Sequence, residues 1–227
     1  LCLLFSRMYA ALKPVPKETK MTKENIIADL DYASRLAKEG AETPLLGGPI
    51  GLMWGVLLTV TFFMQWAILT QTIALPVQTL AYLWIGFAII GGLGCAVLGS
   101  RIEKKTGANS AANRVESYVW IMFAGMMATL FIGVVLNILF QEGTARLFDL
   151  ILIVGFAGQG LAYGVVAKMS KLKLLHAASF AGFAASALCF SFYVDVAIYL
   201  IGSVATLFTI IIPSLKKKKK AGGSNVQ

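Results

Sequence analysis

Charged residues are scarce in this 227-residue chain. They make up 14% of it, against about 25% in an average soluble domain, whereas apolar residues make up 58% and the mean hydropathy is +0.76. Apolar stretches of about 20 residues recur along most of the chain, and each is long enough to cross a hydrocarbon core of about 30 Å. The composition therefore predicts an all-α, multi-pass membrane helix bundle with little chain left for a soluble domain.

Residues that bind metals or perform catalysis are also few. His176 is the only histidine, which excludes bis-histidine haem ligation within the chain, and no His, Cys and carboxylate cluster indicates zinc. The three cysteines, Cys2, Cys95 and Cys189, form no CxxC pattern and are interpreted as small packing residues. Ser100 and His176 both fall at the predicted inner surface, but no acid is placed in a known motif to orient them. We therefore predict a non-enzymatic protein without catalytic residues, metal or cofactor.

The glycine-rich stretch "TPLLGGPIGLMWG" at 43–55 lacks the features of a phosphate loop. No Lys–Ser/Thr pair follows its glycines, and no strand precedes them. Pro44 and Pro49 each disfavour helix in the residue before them. The stretch therefore predicts a Gly/Pro hinge at 44–49 that separates an N-terminal segment from the first membrane span.

Six spans follow, and the basic residues between them predict their orientation. Nineteen of the 20 Lys and Arg residues fall in alternate segments, so the positive-inside rule predicts that both termini are cytoplasmic in a bacterial plasma (inner) membrane. The formal net charge of +9 is then a topology signal, and nucleic acid is not predicted as a partner. The predicted spans of the 50–213 bundle are 50–70, 76–99, 117–140, 148–168, 174–193 and 196–213.

The C-terminal segment 214–227 is predicted to be a basic cytoplasmic tail. Five consecutive lysines directly follow the last span, and each lysine near an anionic surface contributes about 1 kcal/mol to binding. They predict an anchor on anionic lipids of the inner leaflet. These residues are Lys216, Lys217, Lys218, Lys219 and Lys220.

The N-terminal segment is predicted to have two parts. Residues 1–20 are expected to be disordered or an upstream extension, because the sequence from Met21 onward is typical of the start of a natural protein. Residues 21–43 predict a cytoplasmic amphipathic helix with a net charge of −2, which is the wrong sign for an anionic leaflet. We therefore expect its apolar face to dock on the cytoplasmic loops or on a protein partner, with a solvated helix as the alternative. That face carries Ile26, Leu30, Ala33 and Ala37.

Small residues recur at four-residue spacing in most spans, which allows helices to approach closely in lipid. Packing within the bundle is the first interpretation and a self-association surface is the second. The rows are Gly47, Gly51 and Gly55; Gly91, Cys95 and Gly99; Gly125, Thr129 and Gly133; Gly160 and Gly164; and Ala178, Gly182 and Ser186.

No span carries a charged residue near its predicted centre, which weakens the case for an ion-coupled carrier. The polar groups predicted to lie deepest are Gln65, Asn137 and Gln159. Gln159 stands closest to the midplane, between two glycines, and is interpreted either as a hydrogen-bonding contact between helices or as a contact to a solute.

Two short motifs, "PLLGG" before the first span and "NRVESYVW" before the third, resemble segments of small six-span bacterial inner-membrane proteins. The resemblance implies nothing about activity. The leading functional prediction is a scaffold, assembly or regulatory subunit that acts through its cytoplasmic face. The alternative is a small-solute permease or channel with a path near Gln159, Asn137 and Gln65. The loop before the third span is expected to be either a recognition surface or a solvated loop with a helix start near Ser110 or Asn113.

Overall fold

The computed structural model describes residues 27, 29–32, 34, 45–104, 110–170 and 172–216. The chain divides into two units, Leu1–Lys38 and Glu39–Gln227, and the spans belong to the second. The predictions for 1–20 and for Lys217 to Lys220 lie outside the described residues, as do Ile26, Ala33 and Ala37 of the predicted docking face. In the first unit, residues 27, 29–32 and 34 are helical and exposed, Leu30 among them. The docking of this helix stays a prediction.

Six described helices are long and apolar enough to cross a membrane, which confirms the predicted bundle. Their bounds agree with the predicted spans to within a few residues, except that the third begins six residues earlier. The helices are α1 Gly48–Leu69, α2 Thr79–Glu103, α3 Ala111–Phe140, α4 Leu147–Ser170, α5 Lys173–Ser191 and α6 Ala197–Lys216.

Local chemistry sets where these helices begin. Pro49 stands in the first turn of α1, where a missing N–H costs no hydrogen bond. The Ser110 hydroxyl caps α3 by accepting a hydrogen bond from the Asn113 amide, so α3 begins at the loop position predicted as one alternative. With 30 residues α3 is about 45 Å long, so its first turns extend beyond a 30 Å hydrocarbon core.

The centre of the bundle is formed by α1, α4, α5 and α6. The interface between α4 and α5 is the most extensive, α2 packs on the outside of α1, and α3 packs on the outside of α4. In α4 and in α6, half of the 18-residue apolar stretch of the helix is buried inside the bundle. In α2 and α3 the buried share is 6%. In a membrane, α2 and α3 would therefore present most of their surface to lipid.

The helices alternate in direction, so the bundle has two distinct ends. We call the end where α1 begins the basic end, because Lys104, Arg114 and Lys168 lie there. We call the other end the turn end, because three short connections close it. Each of these contains a non-glycine residue with positive φ: Gln71 at 58°, Glu142 at 56° and Val194 at 79°. Such a conformation is strained for a β-branched residue, and the Val194 carbonyl accepts a hydrogen bond from Arg146 Nη1 at 3.3 Å.

Candidate functional site

The three polar residues predicted inside the spans lie in different surroundings. Gln65 is buried near the turn end of α1, and its Oε1 accepts a hydrogen bond from Trp84 Nε1 at 2.9 Å. Asn137 is exposed near the end of α3, with its Oδ1 beside Gly143 of the next turn. Gln159 is buried at the middle of α4, only 4% exposed. The structure therefore does not bring the three together.

At the turn end, side chains of α4 contact α6, which runs parallel to it. The Tyr199 hydroxyl donates a hydrogen bond to Asp149 Oδ1, and these residues are 50 positions apart. A Cβ at Gly202 would meet Leu152 Cδ1 at 3.0 Å, again at an offset of 50. In this part of the bundle, residues of α4 and α6 that lie at the same level therefore differ by 50 in sequence number.

Towards the basic end the register changes by one residue. The Tyr163 hydroxyl is hydrogen-bonded to Ser214, at an offset of 51. Between the two ends α6 contains the π-helical turn Leu207–Ile211, which accommodates one extra residue. Thr209 lies within this turn, 50 positions after Gln159, and is therefore at about the same level along the bundle. Single π-helical turns within α-helices are frequent at functional sites.

Three buried polar atoms have no hydrogen-bond partner within the described part of the chain: Thr59 Oγ1, Gln159 Nε2 and Thr209 Oγ1. They belong to α1, α4 and α6, and each lies 10 to 12 residues from the turn end of its helix. At 1.5 Å per residue, all three lie about 15–18 Å below that end, close to the midpoint of a membrane core. Unpaired buried polar groups are rare in native proteins, so three at one depth call for a functional explanation.

At the turn end, side chains from four helices form one polar network. Trp84 donates to Gln65, whose side chain is also hydrogen-bonded to Tyr199, and Tyr199 donates to Asp149. Arg146 lies close enough to Asp149 to interact electrostatically with its carboxyl group. Asp149 is only 6% exposed, so a carboxyl group is buried at this end of the bundle rather than on its rim.

At the basic end, the two short sequence motifs meet. Asn113 Oδ1 accepts a hydrogen bond from the Leu46 amide at 2.9 Å, and Glu116 Oε2 accepts one from the Gly47 amide at 3.3 Å. Glu116 is buried and interacts electrostatically with the Tyr163 hydroxyl. The chain that enters α1 is thus bound to the first turns of α3 within the predicted hinge, and a pivoting movement there stays a prediction.

Taken together, these buried polar groups of α1, α3, α4 and α6 form a series of successive levels from one end of the bundle to the other, with a carboxyl group at each end. We call it the polar file. Its α6 members are three to five residues apart, which is a rise of about 4.5–7.5 Å from one to the next. The polar file consists of Asp149, Tyr199, Ser203, Thr59, Thr206, Thr209, Gln159, Ser214, Tyr163 and Glu116.

Two members of the polar file have an ordinary structural explanation. The Ser203 hydroxyl donates to the Thr59 carbonyl at 2.9 Å, and the Thr206 hydroxyl donates to the Gly202 carbonyl at 2.7 Å. Hydroxyl groups in apolar helices commonly bond to backbone carbonyls in this way. The midplane atoms of Thr59, Gln159 and Thr209 have no such explanation. Gln159 and Thr209 are buried as whole residues and are therefore the centre of the candidate site.

The five glycines proposed for packing all lie at close approaches within the chain. A Cβ would come within 2.9 Å of Glu116 at Gly47, 2.5 Å of Ser214 at Gly51 and 2.7 Å of Ile211 at Gly55. It would come within 2.9 Å of Ser179 at Gly160 and 3.0 Å of Ser179 at Gly164. By contrast, a Cβ at Gly125 or Gly133 would meet nothing within 4 Å. The same sequence spacing therefore marks both inward and outward faces.

The sequence interpretation missed the two carboxyl groups of the polar file. Asp149 lies near the end of a predicted span and Glu116 just before one, yet both are buried within the first two turns of their helices. A signal was present on α4, where Asp149, Gln159 and Tyr163 follow i, i+10, i+14 spacing and therefore fall on one helical face.

Other chemistry lies apart from the polar file. His176 is exposed, and the described residues contain no group of three His, Cys, Asp or Glu that could hold a metal ion. Cys189 is buried, and Cys95 accepts a hydrogen bond from Trp54 Nε1 at 3.1 Å.

The fold defines the class of protein as a multi-pass α-helical membrane protein. No protein-family model, no curated protein and no solved structure matches the chain.

Proposed function

We propose that the protein passes a small, uncharged, hydrogen-bonding solute across the membrane along the polar file, as a permease or channel. The observation that carries this proposal is the pair of unpartnered polar groups, Gln159 Nε2 and Thr209 Oγ1, buried at the middle of two parallel helices. A buried amide without a partner is costly, and polar groups inside membranes are commonly kept for function. A solute that accepts a hydrogen bond from Gln159 would remove that cost.

The surroundings of the polar file favour a small and uncharged solute. Phe62, Leu152 and Phe156 pack beside it with exposures of 4–7%, so a bulky molecule would have to displace large side chains. The middle of the file offers an amide and hydroxyl groups but no charged side chain. The carboxyl groups of Asp149 and Glu116 at its two ends would repel anions whenever they are ionised.

Flux into proteoliposomes tests this proposal. The purified protein is reconstituted, and the entry of water, glycerol and urea is followed by stopped-flow light scattering after an osmotic step. We expect at least one of the three to enter faster than into protein-free liposomes, and Gln159→Leu to slow that entry towards the protein-free rate.

Asn137→Leu is the matched control, because it removes the same amide from an exposed position on α3, away from the polar file. It should leave the flux unchanged. Equal entry into protein-containing and protein-free liposomes for all three probes would refute the proposal. Equal rates for the wild type and Gln159→Leu would place the path elsewhere.

The second candidate function is the scaffold, assembly or regulatory subunit predicted from the sequence. Its support is the binding of the Leu46 and Gly47 amides by Asn113 and Glu116, because this fixes the segment that follows the acidic N-terminal region to the first turns of α3. Positive-inside orientation in a bacterial inner membrane, with both termini cytoplasmic, belongs to this proposal as well.

Affinity purification from native membranes distinguishes the second function. The scaffold proposal expects a stable protein partner that is lost when residues 24–39 are deleted, while the deletion variant still inserts into the membrane. Recovery of the same proteins with and without residues 24–39 would contradict it.

A further inference from the structure

A groove of about 470 Å³ lies between α4 and α5, apart from the polar file. It opens on the outside of the bundle, where Leu161 is 64% exposed. Its walls are apolar except near one end. The lining residues are Leu161, Gly164, Val165, Lys168 and Met169 of α4, and Ser179 and Phe183 of α5.

Small residues create this groove by drawing the two helices together. A Cβ at Gly182 would come within 2.9 Å of the Gly160 Cα, so the two backbones are in contact there. Gly164 contributes no side chain to the floor. The Ser179 hydroxyl is already used, because it donates to the Gly160 carbonyl at 2.6 Å. The floor therefore presents apolar surface to whatever enters the groove.

The charged end of the groove coincides with the basic end of the bundle. Lys168 lies two residues before the end of α4, so its ammonium group can reach the level of the lipid headgroups. His176 shares a face of α5 with Ser179 and Phe183, because the three follow i, i+3, i+7 spacing. It is exposed and lies one turn nearer the same end. Of these two residues, Lys168 lines the groove where it reaches the surface.

We infer that this groove binds one anionic phospholipid, with an acyl chain along its apolar length and the headgroup phosphate at Lys168. The groove faces the region that lipid would occupy around the helices, and its apolar walls match a hydrocarbon chain. Its single charged group is a cation placed at headgroup depth, which complements a phosphate. Basic pockets between transmembrane helices bind anionic headgroups in this way. The residues of this site belong to α4 and α5 and are not those of the anchor predicted at the C-terminus.

Native mass spectrometry of the detergent-solubilised protein tests the inference. The full chain is titrated with dioleoylphosphatidylglycerol, which carries a net negative charge, and with zwitterionic dioleoylphosphatidylcholine. The wild type should bind the first lipid more tightly. Lys168→Gln should weaken its binding about fivefold and leave binding of the second nearly unchanged, which is the factor expected for one lysine near a membrane surface.

Lys104→Gln is the matched control, because Lys104 is an exposed lysine at the same end of the bundle, following α2 and away from the groove. It should leave both affinities unchanged. Phe183→Ala removes part of the groove wall and should weaken both lipids, since it acts on the acyl chain. The melting temperature of each variant confirms that it is folded.

Two results would overturn the inference. Lys168→Gln could bind phosphatidylglycerol as well as the wild type, or Lys104→Gln could weaken it as much as Lys168→Gln does. In the second case the lipid would be held by general positive charge and the groove would have no part in it. Neither result depends on the solute flux, so the proposed function stands or falls separately.

Discussion

Replacing Gln159 by leucine should stabilise the protein while it impairs transport. Gln159 is 4% exposed and its Nε2 has no partner within the described part of the chain. Leaving a buried donor unpaired costs about 1–3 kcal/mol, and leucine fills a similar volume without a donor. In the absence of solute, we therefore expect Gln159→Leu to raise the free energy of unfolding by about 1–3 kcal/mol.

The assay is equilibrium unfolding in mixed micelles, followed by the fluorescence of the native tryptophans. Asn137→Leu provides the comparison, because an exposed substitution should change the free energy of unfolding by less than about 0.5 kcal/mol. Transport is measured on the same preparations. The expected combination, greater stability with lower flux, is typical of a residue kept for function at the expense of stability.

The opposite sign would refute the reasoning. If Gln159 instead bonds a neighbouring helix, its replacement should destabilise the bundle by about 0.6 kcal/mol on average, as for other hydrogen bonds between helices in membranes. A loss of that size, without a change in flux, would make Gln159 an ordinary structural contact.

Two further substitutions test the packing and the turn-end network. Gly182→Ala should lower the free energy of unfolding by about 1–3 kcal/mol, because its Cβ would lie 2.9 Å from the Gly160 backbone. Gly133→Ala is the control, because its Cβ would meet nothing within 4 Å, and it should be neutral or slightly stabilising. Equal effects of the two substitutions would contradict the packing. Tyr199→Phe should cost about 1–3 kcal/mol by removing the hydroxyl that donates to buried Asp149, and chemical unfolding that shows no loss would argue against that hydrogen bond.

The helices could be predicted from sequence because the bilayer imposes their length and apolarity. The start of α3 was harder to place, since its polar first turns at Asn113 and Glu116 extend beyond the hydrocarbon core and do not register as apolar. The Ser110 cap was the local signal for it.

The candidate site could be predicted only in part, because a helix sequence does not specify its neighbours. Gln159 was identified from its depth and its flanking glycines. That it shares its level with Thr209 depends on how α4 and α6 are assembled, although α5 separates them in sequence, and on an extra residue in a π-helical turn. The rows at Gly125 and Gly160 have the same spacing, yet only the second meets another helix.

The burial of Asp149 could not be inferred from its position near a span end. Charged residues at such positions usually lie at the membrane surface, and Asp149 is enclosed because Tyr199 of α6 reaches across to it. That contact exists only in the assembled bundle.

The central claim is that the unpaired donor of Gln159 serves a bound solute or water at the middle of the membrane. A structure determined in lipid nanodiscs, at a resolution that reveals ordered water, tests it most directly. The account predicts non-protein density about 2.7–3.2 Å from Gln159 Nε2 and within reach of Thr209 Oγ1. A Gln159 side chain that is hydrogen-bonded to another helix, with no density beside it, would contradict the account.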